Sequence, residues 1–242
     1  MQAFAPAERD LALQETFTPL GLLDDDSPYV DAEPVLAEMV RAGVARGTEA
    51  IEQALHHTGD LQNGWNLTYH AFDYNLDFFE IGALDESQWK LDLVPKLRYF
   101  ARAAAARGGL WGNHGYEAAY AMVYLDGDGN LLDGTKSYRL RFEETPPVGA
   151  FWSVTMYDSK DFYLLDNPID RYSIGDRTPG VRRAADGSLT IVLQHDEPET
   201  EEDRANWLPT PAAPFRPILR MYEPQGAAFD GGYVLPPIVS SS

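Results

Sequence analysis

The stretch AFWSVTMY, residues 150–157, alternates from end to end. Trp152, Val154 and Met156 fall on one side, and Phe151, Ser153, Thr155 and Tyr157 on the other. A period of two is the pleat of a β-strand, so one side is expected in a core. The other side carries aromatic and hydroxyl groups suited to lining a pocket. Strands recur on both sides of this one. Tyr138, Leu140 and Phe142 alternate with Arg139, Arg141 and Glu143, a half-buried antiparallel strand. Leu189 to Gln194 reads as a strand opened by the turn DGS at 186–188, and Phe215 to Tyr222 as the last clear one, bracketed by prolines. Upstream, Tyr116 to Leu125 is apolar and aromatic and runs into GDGN at 127–130, a tight turn. This spacing predicts an α+β protein, an antiparallel sandwich or jelly roll that follows a mostly helical N-terminal region. The boundary is set between residues 1–97 and 98–242, within one compact unit.

In the N-terminal part, Val35, Leu36, Met39, Val40, Val44, Ile51 and Leu55 recur at helical spacing from Pro34 to Leu55. Gly43 and Gly47 leave room for two shorter helices instead of one. Residues 61–84 show no clean period and are expected to be irregular, packed through Trp65, Tyr69, Phe72, Phe78 and Phe79. A second helix is expected from an N-cap at Ser87 to Gly108–Gly109, with Pro95 as a kink or first turn. The acidic run Asp196 to Asp203 reads as a solvated loop, and Asn206-Trp207-Leu208-Pro209 as a loop anchored by a buried indole.

Bulk chemistry narrows the function classes. With 38 acidic and 19 basic residues, the net charge of −19 repels phosphate backbones and anionic lipid, which argues against nucleic-acid and membrane partners. The absence of cysteine excludes disulfides, thiolate nucleophiles and thiolate metal sites. The opening MQAFAPAERD has no basic stretch followed by an apolar run, so a cytoplasmic protein is expected. No nucleotide-binding, nucleophile-elbow or zinc-helix signature is present, so no cofactor is called for. The histidines His56, His57, His70, His114 and His195 form no close pair, and no metal site is assigned. His195 reads as a polar strand end.

Five C-terminal segments together resemble the domain of unknown function 1214 family: DGTKSYRLRF (133–142), PPVGAFWSVTMYD (146–158), DNPIDRYSIGDRTPG (166–180), DGSLTIVLQHDEP (186–198) and NWLPTPAAPFRPILRMYEP (206–224). GLWGNHGYEAAY (109–120) is similar to that family's upstream segment. Larger relatives carry the domain of unknown function 1254 in front, where this chain has its helical N-terminal region. The resemblance implies a β-sandwich of jelly-roll type with helices at one side, and brings no agreed reaction.

The segment 166–180 concentrates the candidate ligand-binding residues. Arg171 and Arg177 can each hold a carboxylate in two-point contact, from the protein or from a ligand, and Tyr172 adds a ring and a hydroxyl. Gly175 and Gly180 are expected to permit positive φ. Asn113, Tyr157 and Arg220 complete the ligand-binding set, and His114 and Tyr172 are the catalytic candidates. Arg216 and Arg220 share a strand face, so carboxylates or an anionic ligand are expected near them. Three functions compete. One is an enzyme acting on a small polar or carbohydrate-like molecule, by cofactor-independent hydrolase, lyase or isomerase chemistry. Another is a glycan-binding module using Trp65, Trp111 and Tyr157 as platforms. The third is an oligomeric structural or interaction protein, and a homo-oligomer is expected of its paired sheets.

Overall fold

The computed structural model describes residues 8–21, 24–26, 28–55, 60–69, 72, 95–109, 112–229 and 232–241. Two sheets dominate. The larger contains β1 (Asp60–Gln62), β2 (Trp65–Thr68), β3 (Ala118–Val123), β5 (Val148–Asp158), β6 (Ser173–Gly175) and β9 (Phe215–Pro224) in the order β1-β2-β3-β9-β5-β6. The smaller contains β4 (Ser137–Phe142), β7 (Leu189–Gln194), β8 (Trp207–Pro209) and β10 (Ile238–Ser241) in the order β10-β4-β7-β8. Pairing is antiparallel throughout except between β7 and β8, which run parallel. The protein is thus a mixed α+β, sandwich-like molecule.

Alternation decides what lies between the sheets. Trp152, Val154 and Met156 of β5 are buried with Leu219 and Met221 of β9 and Ala119, Ala121 and Val123 of β3. They meet Tyr138, Leu140 and Phe142 of β4 and Leu189, Ile191 and Leu193 of β7. Phe142 meets Trp152 across the layers at 5.2 Å between ring centroids, and Tyr138 meets Phe215 at 5.8 Å. The Tyr138 hydroxyl is not stranded there, since it accepts the Asp133 N–H at 3.1 Å.

The turns follow their chemistry. In 127–130 Gly129 takes φ +83°, and the Asp126 carboxylate accepts the N–H groups of Asp128 and Asn130. In 186–188 Gly187 takes φ +87° and Asp186 accepts from Ser188. Helix α1 spans Glu8–Glu15, and a 3-10 turn covers Thr18–Leu20. Helix α2 runs unbroken over Pro34–Leu55, straight through Gly43 and Gly47. Helix α3 spans Pro95–Gly108, with the Gly109 N–H closing on Ala105 O. The expected N-cap at Ser87, Phe78, Phe79, Trp111 and the histidines at 56, 57 and 70 lie outside the described residues. No helix among the described residues is long and apolar enough to cross a membrane.

Three expectations need correction. The segment expected to be irregular contains β1 and β2, joined by Asn63-Gly64 at positive φ, a hairpin turn. These strands extend the large sheet, so it draws on chain from both sides of residue 97. Within the acidic run, Thr200 accepts the Asp203 N–H and caps a short helix, α4 (Glu201–Ala205), whose first-turn acids suit the positive end of its dipole. Trp207 is buried as expected, its indole N–H donating to Gln194 O, yet it belongs to a strand.

Candidate functional site

The face of the large sheet turned away from the core carries side chains in rows set by register. Phe151, Tyr222 and Ala118 form one row, Ser153, Arg220 and Tyr120 the next, and Thr155, Ile218 and Met122 the third. Tyr157 stands opposite Arg216. Two helices end on this face. The last-turn carbonyl of α2 at Leu55 accepts from Asn66 Nδ2 at 3.1 Å, and that of α3 at Gly108 accepts from Arg216 Nη2 at 3.0 Å. Both contacts place donors at the negative ends of helix dipoles. The Arg220 and Tyr222 rows lie further along.

Arg216 is 1 % exposed. It donates to Tyr124 Oη at 2.7 Å, and its guanidinium lies 3.5 Å from the Phe162 ring centroid, a ring that Arg107 also covers at 4.1 Å. The expected carboxylate is missing: among the described residues Arg216 forms no ion pair, and its buried Nε has no hydrogen-bond partner. A carbonyl, a phenol and a π-face stand in for the counter-ion.

Arg220, half-buried, donates from Nη2 to Tyr157 Oη at 3.0 Å. Its register neighbour Tyr120 accepts the Asn113 N–H at 2.9 Å, and Asn113 Nδ2 reaches Glu117 at 3.4 Å. Burial is the main reason that Tyr120 is held above the ordinary phenol range, with Tyr222 and Glu117 adding to it against the Asn113 N–H and Arg220. The hydroxyl therefore stays protonated. One row away the Phe151 and Tyr222 rings stack at 4.2 Å, and the Arg177 guanidinium caps Phe151 at 4.3 Å. Asn113, Tyr157 and Arg220 are thus gathered on one face, with Arg177 at its rim.

The rest of 166–180 fastens the chain. Asn167 Oδ1 accepts the Arg171 N–H at 3.0 Å while its Nδ2 donates to Leu165 O and Arg171 O. Arg171 Nη1 donates to three backbone carbonyls, Arg204 at 3.3 Å, Ala205 at 3.0 Å and Trp207 at 3.0 Å. That clamp holds the C-terminal end of α4, and it uses carbonyls where carboxylates were expected. Tyr172 Oη donates to Asp170 at 3.4 Å, within its own loop. His114 stacks on Tyr116 at 5.6 Å, and its buried Nδ1 has no hydrogen-bond partner among the described residues. His195 Nδ1 lies 2.9 Å from Thr210 O, a strand-end contact as expected. Trp65 is 0 % exposed and donates its indole N–H to Pro236 O, so it offers no platform to a glycan. Tyr120 and Tyr222 were not singled out from the sequence. The alternation of AAYAMV over 118–123 is the signal that turns Tyr120 outward.

Residues 117–226 match the family model described as "Protein of unknown function (DUF1214)". No curated protein matches. Among solved structures the chain is similar to the VPA0106 protein from Vibrio parahaemolyticus, with 24 % identity and a TM-score of 0.54 over 98 % of this chain and 53 % of that one. It is also similar to an uncharacterised protein from Burkholderia cenocepacia, with 14 % identity and a TM-score of 0.38 over 96 % of this chain and 49 % of that one. The chain therefore spans about half the length of each.

Proposed function

We propose, for a chain whose residues 117–226 belong to the DUF1214 family, that the outer face of the large sheet binds a small polar or carbohydrate-like molecule and needs no redox cofactor. The observation that carries this is the Tyr120–Arg220–Ser153 row with Tyr157 beside it: half-buried polar groups side by side, next to a stacked aromatic pair. Such a mixture of donors and ring faces orients a small ligand. If the bound molecule reacts, the phenols of Tyr120 and Tyr157 are the hydroxyls this face presents for proton transfer. Hydrolase, lyase or isomerase chemistry by side chains fits that supply.

The test is amide chemical-shift mapping with a panel of monosaccharides, polyols and hydroxy acids. Shifts confined to Ser153, Tyr157, Arg220 and Tyr222 are expected. Shifts elsewhere, or none with any member, overturn the proposal. A non-catalytic glycan-binding role would use the same face through Phe151 and Tyr222, and is distinguished by binding without turnover.

Within the two-sheet architecture we read a jelly-roll connectivity, and for the chain in solution a homo-oligomer. Sedimentation of the purified protein tests the second, and a monomer at all concentrations overturns it.

A further inference from the structure

Resting on the binding face proposed above, we infer that its ligand is a small carboxylate, held by Arg220. Among the described residues, arginines around the two sheets are occupied. Arg139, Arg141, Arg182 and Arg204 hold carboxylates, and Arg171, Arg177 and Arg216 hold backbone carbonyls. Arg220 holds a phenol oxygen and, among the described residues, no carboxylate or carbonyl. A guanidinium carries five N–H donors and no acceptor, so most of its hydrogen-bonding capacity remains open. In a chain of net charge −19, carboxylates are abundant, and the sheet face around this cation is filled instead with Tyr157, Ser153 and Tyr120.

The hydroxyls point the same way. Tyr157 Oη accepts from Arg220 and, among the described residues, keeps its own proton for a further acceptor, while Tyr120 Oη accepts from Asn113 N–H and donates to Asn113 Oδ1. Tyr120 lies 3.4 Å from Asn113 Oδ1, a long contact that a better acceptor would replace. The face thus offers donors to whatever lies on it. Arg216, on the same face four residues away and without an ion pair among the described residues, adds positive potential. Among the described residues, Glu117 acts on Tyr120 from this side, and it accepts from Asn113 Nδ2 at 3.4 Å. A guanidinium edge with flanking hydroxyls matches the two oxygens of a carboxylate. A phosphate dianion would call for a second accessible cation, and Arg216 is sealed.

The experiment compares acetate with acetamide, a charged and a neutral ligand of one shape, by following the Arg220 Nε–H resonance and the amides of Ser153 and Tyr157. Glucuronate against glucose extends the comparison to carbohydrate-sized probes. Carboxylates are expected to bind about tenfold more tightly than their neutral partners, with that preference lost in Arg220→Gln and partly kept in Arg220→Lys. Arg41→Gln, an exposed helix position, should leave it unchanged, and circular dichroism should show every variant folded. Equal affinity for charged and neutral probes, or an unchanged preference in Arg220→Gln, overturns the carboxylate while the binding face stands. Tighter binding of inorganic phosphate than of either carboxylate does the same. Silence toward all probes overturns both.

Discussion

Arg216 and Arg220 leave the same face of β9 four residues apart, and their surroundings divide their roles. Arg216 is sealed under Phe162 and tied to Gly108 O and Tyr124, so its charge joins α3 to the sheet. Arg220 is half-buried and, among the described residues, its hydrogen bond goes to Tyr157. One face therefore changes from an anchoring surface to an open one within a single strand.

That division sets different stability costs. Arg216→Ala removes the hydrogen bonds to Tyr124 and to Gly108 O and opens a void under Phe162, a loss of about 2–4 kcal/mol. Arg220→Ala removes one partly buried contact, to Tyr157, and should cost about 1 kcal/mol or less. Urea midpoints at constant m-value measure both; equal losses would contradict the division.

The Arg171 clamp should matter more than its position in a loop suggests. Arg171→Ala takes a donor from two carbonyls at the end of α4 and one in β8, and is expected to destabilise by about 1–3 kcal/mol. Arg171→Lys should recover part of it, because an ammonium supplies charge without the planar fork. Cleavage between 166 and 180 under limited proteolysis should rise in the same order.

Periodicity carried most of this fold, and it failed where elements are short. The alternation in β4, β5 and β9 runs for six residues or more, so the pleat is legible and predicts both the core and the outward row of Phe151, Ser153, Thr155 and Tyr157. Strands β1 and β2 have three and four residues, too few to show a period, and the Asn63-Gly64 turn was their one local signal. Trp65 looked like a platform because a sequence does not say which indole is covered. The site was half legible: Arg220 and Tyr157 follow from alternation, whereas the join to Asn113 and Tyr120 needs the pairing of β3 with β9. Arg171 illustrates a different limit, since backbone carbonyls have no signature in side-chain composition.

Acid should act through Asp158. Its carboxylate accepts the N–H groups of Lys160, Asp161, Phe162 and Tyr163, and so fixes Phe162 at φ +64° over Arg216. Burial alone would raise this carboxyl, but the four backbone donors outweigh it and hold it below the usual range. A depressed folded value means that the stabilisation is complete above the unfolded value of about 3.9 and disappears as pH falls through the folded one. Asp158→Asn should therefore cost about 1–2 kcal/mol at neutral pH, with the gap to the wild type closing in acid. A gap that persists unchanged to the lowest pH would exclude this carboxylate as the cause.

The two glycines of 166–180 separate two physical reasons for glycine. Gly180 has φ +78° with open space where a Cβ would stand, as expected of a turn. Gly175, expected to share that role, is an ordinary strand residue of β6 facing Ser153, and its Cβ would lie 2.1 Å from Trp152 O. Backbone cannot rotate away as a side chain can, so Gly175→Ala must push β6 off β5, at about 3 kcal/mol. Gly180→Ala meets only the left-handed penalty, about 1 kcal/mol. Because β6 leads directly into Arg177, the first substitution should also disturb the Arg177–Phe151 stack, visible as shifted Phe151 ring resonances. Gly180→Ala should leave those resonances in place, and a reversed order of the two stabilities would show that conformation, not space, restricts position 175.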